Sequence, residues 1–338
     1  MAVRDLIIVG AGPSGLSAAI AAKRRGLDYQ VLEQGILVNS IHRFPPQMVF
    51  FTTPELLEVG GLPFVSPFEK PTRIEALRYY RRVVDTFDLQ IAFGETVLSI
   101  QVEEAPEIGA GGADSRVFAI ETGSGGGRRI RYARTVVLAI GYFDRPNRLN
   151  VPGEDLPHVH HFYGEPHPYY RRRVIIVGGG NSAAESALDM FRAGASVTLV
   201  HRRAELKSTI KYWVRPDIEN RIREGSIAAR FNTCVTDIRS TSVVVKTGTV
   251  LEELAADAVF LLVGYHADWE LMAAAGIAMN ERRVPHFDAS TFETNVSGLF
   301  VAGGALAGMD TGNIFIENGR FHGEKIVEVI AARLSEGF

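Results

Sequence analysis

The chain has 338 residues, 46% of them hydrophobic and 22% charged, which is enough apolar material for the cores of roughly two domains. A formal net charge of −3 offers no basic field for nucleic acid, and apolar runs such as 257–265 fall well short of the roughly 20 residues of a membrane span. One cysteine, Cys234, excludes an internal disulfide and a Cys-x-x-Cys redox pair.

The N-terminal apolar run is too short for a signal peptide and leads directly into a glycine loop, so a cytoplasmic location is expected. Residues 5–10 read as a strand. Gly10, Gly12 and Gly15 then form Gly-x-Gly-x-x-Gly, for a tight turn, close approach of a pyrophosphate and close helix packing respectively. Pro13 opens a helix running to about Arg25, and Gly26 ends it. Residues 29–32 form the next strand, with Glu33 at its tip, about 20 positions beyond the loop, where an acid holds a ribose hydroxyl pair.

Residues 39–53 contain Pro45-Pro46 and flanking aromatics, which predict an extended segment, either lying along a flavin ring or packed as a surface loop. Residues 71–87 predict a helix with a basic, solvated face. Residues 95–102, 116–122 and 130–132 predict three antiparallel strands joined by mobile glycine-rich connections at 107–114 and 123–127. Residues 135–140 predict a further buried strand. A loop-like linker then runs from 151 to 172 and carries His158, His160, His161 and His167. A metal site needs ligands on rigid elements, so these histidines predict a solvated or interdomain loop and no metal.

A second strand–loop–helix follows, with Gly178, Gly180 and Ala183 as Gly-x-Gly-x-x-Ala. The next strand, 196–200, ends not in an acid but in His201-Arg202-Arg203. Guanidinium groups there suit the 2′-phosphate of NADPH. The strand 230–235 predicts a buried Cys234 without redox duty. The segment 298–304 reads as another strand and glycine turn, and the helix through Ala332 returns the chain to its first domain. Two nucleotide loops in one chain predict electron transfer between two dinucleotides.

Together these residues resemble the thioredoxin-reductase-like flavoproteins across essentially the whole chain. That resemblance implies an α/β fold of two Rossmann-like domains, with the FAD domain (1–157 and 267–338) split by an inserted NADPH domain (158–266). The runs 39–41, 50–52, 141–144, 151–156 and above all Ile314-Phe315-Ile316-Glu317-Asn318-Gly319-Arg320-Phe321-His322-Gly323 further resemble the bacillithiol-disulfide reductase (YpdA-type) family. The implied activity is NADPH-dependent, FAD-mediated reduction of a low-molecular-weight thiol disulfide by a cytoplasmic homodimer. The implied FAD residues are Gly10, Gly12, Pro13, Ser14, Gly15, Glu33, Gln34, Asn39, Ile41, Val97, Gly141, Gly303 and Ile316. Those implied for NADPH are Gly178, Gly180, Asn181, Ser182, Ala183, Glu185, His201, Arg202 and Arg203.

Ser14 stands where thiol-mechanism members of that family carry a cysteine, and Gly304 where the wider class often has an aspartate. Serine cannot relay electrons as a thiolate, so the flavin itself is expected to do the chemistry. Two other readings stay open: electron transfer to a small protein, as in ferredoxin or flavodoxin–NADP reductases, and a non-catalytic FAD/NADPH-binding module that responds to redox state.

Overall fold

A computed structural model describes residues 3–104, 116–309 and 311–335. They divide into two compact units: one from the described residues of Met1–Arg43, Gln47–Arg145 and His266–Phe338, the other from Phe44–Pro46 and Pro146–Tyr265. Among the described residues no helix is long and apolar enough to cross a membrane.

The first unit begins with β1 (Val3–Val9), whose Leu6, Ile7 and Ile8 are fully buried. It pairs in parallel with a strand at either edge, and burial of consecutive residues shows that both its faces are covered, which its continuous apolar run requires. Helix α1 (Pro13–Arg24) has proline in its first turn and buries Leu16 and the alanines after it. Strand β2 (Tyr29–Glu33) follows. Residues 39–42, expected to be extended, instead form one helical turn, α2 (Asn39–His42), which starts after Val38 in the left-handed region at φ 46°. The Pro45-Pro46 barrier acts only beyond that turn. Helix α3 (Arg73–Phe87) is fixed by a reciprocal capping box between Thr72 and Glu75, and buries Ala76, Tyr79, Tyr80 and Val83.

Strands β3 (Ile91–Phe93), β4 (Thr96–Glu104), β5 (Arg116–Ser124) and β6 (Gly127–Leu138) complete the N-terminal part of this sheet, in the order β3-β2-β1-β6-β5-β4. Of the segments 130–132 and 135–140, expected as two strands, residues 130–132 and 135–138 belong to the single strand β6, which ends at Leu138. Nothing in Ala133-Arg134 breaks it, and it changes partners along its length. Residues 127–133 pair antiparallel with β5, and 132–138 pair parallel with β1. The connection 123–127 is likewise no mobile loop, because pairing continues to Ser124 opposite Gly127. The connection 107–114 lies outside the described residues.

The second unit has a parallel sheet built from β7 (Val159–His160), β8 (Arg173–Val177), β9 (Ser196–Val200), β10 (Ala228–Arg230) and β14 (Ala258–Leu261), ordered β10-β9-β8-β14-β7. Helices α4 (Asn181–Arg192) and α5 (Arg215–Arg223) pack on its core, and β11 (Thr233–Ile238), β12 (Ser242–Thr247) and β13 (Val250–Ala255) form a separate antiparallel sheet. The linker 151–172 is therefore not merely a loop, since its Val159 and His160 pair with β14 as an edge strand. His160 also packs its ring on Phe260 at 4.9 Å. The units divide at Arg145/Pro146 rather than at 157/158. Leu149, Val151 and Leu156 pack against the apolar cluster around Ile238 and Val243, and the buried Glu154 accepts from the amides of Leu149 and Asn150 at 3.0 and 2.7 Å.

Cys234 is exposed, not buried. Asn232, at φ 51°, separates β10 from β11, so 230–235 is not one strand. In β11 the inward positions go to Thr233 and Val235, and the alternation of side chains sends Cys234 outward.

The tail returns to the first unit with α6 (Trp269–Ala274), β15 (Leu299–Val301), α7 (Ile316–Gly319) and α8 (His322–Ser335). Strand β15 pairs in parallel with the C-terminal end of β6. Its Leu299 and Val301 join Ile7, Ile120 and Leu138 in one buried cluster.

Candidate functional site

The first cradle lies where β1 turns into α1. A Cβ built on Gly10 would sit 2.4 Å from the carbonyl oxygen of Ala139, and one on Gly15 only 1.9 Å from the carbonyl oxygen of Gly10. These two glycines let the loop close on backbone. At Gly12, by contrast, a Cβ would meet no atom of the described residues within 4 Å. Gly12 therefore borders open space, and that space adjoins the N-terminus of α1, where first-turn N–H groups lack intrahelical partners and favour an anion.

Glu33 ends β2 and is buried. Its two carboxylate oxygens accept from the amides of Ala11 and Gly35, each at 2.8 Å. Burial raises its pKa, the two amide bonds oppose that rise, and the nearby Asp144 adds to it. A carboxylate offers about four acceptor sites, so each oxygen keeps capacity for a ribose hydroxyl. Gln34 and Asn39 direct their side-chain amides to Asp144, and Ile41 is buried beneath them in α2. Val97 packs on the core of this unit beside β2.

Residues from the far end of the chain close the same cradle. Ser14 donates its hydroxyl to the carbonyl of Gly319 at 3.0 Å, and a Cβ on Gly303 would sit 2.3 Å from that hydroxyl oxygen. The Ser14 side chain is thus occupied as a structural donor between two glycines some 300 residues away. Gly303 in turn donates its amide to Nδ1 of His322 at 3.1 Å. His322 stacks on Phe292 at 4.3 Å, and burial, helped by Lys325, pushes its imidazole down to about 4. It is therefore neutral at neutral pH and available as an acceptor. Asp144 and His322 were not among the site residues expected from sequence. Their partners lie too far along the chain for any local pattern to mark them. Gly141, at φ 60°, begins the turn that carries Asp144, and half-buried Ile316 opens α7.

The second cradle repeats the design in the other unit. Gly178 follows β8, α4 starts after Gly180, and the nearest atom to a Cβ on Gly180 is Cδ of Lys207 at 3.7 Å, the end of a flexible side chain. Ser182 is exposed and Ala183 fully buried. Asn181 and Glu185, expected to touch the cofactor, are engaged by the chain itself. Asn181 accepts from the Lys211 amide at 2.8 Å and donates to the Thr209 carbonyl, while Glu185 pairs with the Lys211 ammonium at 2.7 Å. The segment 207–211 is thereby strapped over the start of α4.

His201 lies buried against Gly179, and its Nε2 has no hydrogen-bond partner among the described residues. Burial, then the charges of Arg202, Arg203 and Lys207, hold its pKa down. Arg202 and Arg203 are exposed at the end of β9. Lys207 was missed in the sequence because it lies in an irregular segment. Its amide donates to the Gly179 carbonyl at 2.9 Å, which places a third cation by the glycine loop. Among the described residues no group of three or more His, Cys, Asp or Glu side chains is placed to hold a metal ion.

Residues 7–303 match the family model described as pyridine nucleotide-disulphide oxidoreductase. The chain is 40% identical to bacilliredoxin reductase Bdr of Bacillus subtilis over 97% of both chains. It superposes on the solved bacillithiol disulfide reductase Bdr of Bacillus cereus with a TM-score of 0.92, at 36% identity, covering 98% of this chain and 100% of that one. The corresponding structure from Staphylococcus aureus gives a TM-score of 0.89, again at 36% identity, covering 98% and 99%. The chain belongs to the pyridine nucleotide-disulphide oxidoreductase family.

Proposed function

We propose that this protein is an NADPH-dependent FAD enzyme that reduces the disulfide of a low-molecular-weight thiol, bacillithiol disulfide or a close analogue. The observation that carries the reading is the pair of glycine cradles, the first with open space at Gly12 and the second bordered at Gly180 by the flexible end of Lys207, in a chain so similar along its whole length to the Bdr reductases. The residues present fit two dinucleotides. Gly12 and the start of α1 take the pyrophosphate of FAD, and Glu33 its ribose hydroxyls. Gly180 and the start of α4 take the pyrophosphate of NADPH, and Arg202, Arg203 and Lys207 take its 2′-phosphate.

When bound, FAD supplies hydride acceptance from NADPH and electron delivery to the disulfide, and the protein supplies binding and orientation. No protein thiol takes part. The Ser14 oxygen has no thiolate chemistry and is already committed to the Gly319 carbonyl. Cys234 faces outward on β11, in a sheet separate from the one that carries the second cradle. Replacing Cys234 by serine is accordingly expected to leave disulfide turnover within about twofold of wild type, since an exposed substitution away from a site changes little; a steady-state assay that shows lost turnover would give the thiol a role.

The decisive experiment is anaerobic oxidation of NADPH by the FAD-loaded protein with bacillithiol disulfide as sole acceptor. Multiple turnovers are expected. Rapid flavin reduction without reoxidation would overturn the substrate assignment and move the acceptor to a protein, with a bacilliredoxin the first to add.

A further inference from the structure

We propose that Asp144 is a positioning residue of the first cradle, its carboxylate gathering Gln34, Asn39 and Arg43 into the wall that receives the ADP half of FAD. This rests on the FAD reading of that cradle. Three donors from the segment after β2 converge on the one side chain. Asn39 Nδ2 and an Arg43 guanidinium nitrogen reach Oδ1 at 3.1 and 3.0 Å, and Gln34 Nε2 reaches Oδ2 at 3.3 Å. Asp144 is mostly shielded, with 19% of its side chain exposed against 41% for Arg43.

The segment it gathers is tightly constrained. Val38 is a β-branched residue in the left-handed region, where it is rarely found, and its amide donates to the Ala11 carbonyl inside the glycine loop. Backbone held in such a state persists only where surrounding contacts over-determine it. Asn39 meets that need from both ends of its amide. Its Nδ2 goes to Asp144, while its Oδ1 lies against Gly35, where an added Cβ would be 2.7 Å away. Gln34 directly follows Glu33, the residue at the ribose position, so the gathered wall flanks the adenosine side of the cradle.

The test titrates the full chain, stripped of flavin, with FAD and separately with ADP, for wild type, Asp144→Ala and Asp144→Asn. Asp144→Ala is expected to weaken FAD and ADP in parallel, by about tenfold or more, with the visible absorption bands of the bound flavin unchanged and at most a small fall in the melting temperature of the stripped protein. Asp144→Asn keeps an acceptor for Asn39 and Arg43 and should recover most of the loss. Unchanged ADP affinity in Asp144→Ala, or a fall in melting temperature with ADP affinity intact, would overturn the proposal. If Asp144→Ala does not fold, Asn39→Ala gives the same reading through the donor: weakened ADP supports the wall, and unchanged ADP overturns it. A wild-type protein that binds neither FAD nor ADP would instead fell the FAD reading itself, and the proposal with it.

Discussion

Gly12→Ala is expected to strip the protein of FAD while leaving its fold intact. The backbone at Gly12 has φ −78° and ψ 177°, extended geometry that alanine adopts without strain, and the added Cβ would touch nothing among the described residues. Alanine there also lowers the entropy of the unfolded chain, so the stripped protein should melt no lower than wild type. The methyl group instead occupies the space through which a pyrophosphate approaches the backbone. We expect FAD affinity to fall by about a hundredfold, which corresponds to roughly 2.7 kcal/mol. Gly15→Ala is the contrasting control, because its Cβ would lie 1.9 Å from the Gly10 carbonyl oxygen and the loop must move. That variant should lose both FAD and thermal stability. Measuring the flavin-to-protein ratio beside the melting temperature separates the two effects. A Gly12→Ala protein that keeps wild-type flavin content would place the pyrophosphate elsewhere.

Both cradles were legible in the sequence because everything that marks them is local. An apolar strand, glycines at fixed spacing and an alanine-rich helix lie within some 20 residues, and the structure puts β1, α1, β8 and α4 within a few residues of where that pattern places them. What was not legible depends on distant partners. Strand β6 is continuous because β5 pairs with its first half while β1 and β15 both pair with its second, and no window around Ala133 reveals those neighbours. The outward face of Cys234 follows from strand register, where a slip of one residue inverts every side chain. Asp144, His322 and the Ser14–Gly319 contact each join segments that only the tertiary fold brings together. Asn181 and Glu185 stand at motif positions, yet the strap at 207–211 engages both, an irregular segment whose path no periodicity encodes.

That strap sharpens the cofactor preference. Replacing Arg202, Arg203 and Lys207 together by alanine is expected to raise the KM for NADPH by a hundredfold or more and to leave that for NADH within about twofold. A charge-assisted hydrogen bond to phosphate is worth roughly ten- to a hundredfold in affinity, and exposure with salt screening reduces each contribution, so about a hundredfold for the set is the lower expectation. Lys207→Ala alone isolates the ammonium, since its backbone amide keeps donating to the Gly179 carbonyl and the loop stays in place. Initial rates with both nucleotides, at low and at high salt, check the set: high salt should erode the wild-type preference for NADPH and barely alter the triple variant. NADH lacks only the 2′-phosphate, so an equal loss with both nucleotides would put these cations on the shared pyrophosphate. An unchanged KM for NADPH would remove the phosphate from this cluster altogether. Either failure would leave Gly180 and the start of α4 as the nucleotide cradle, because the first-turn amides of that helix favour an anion whatever the charges beside them.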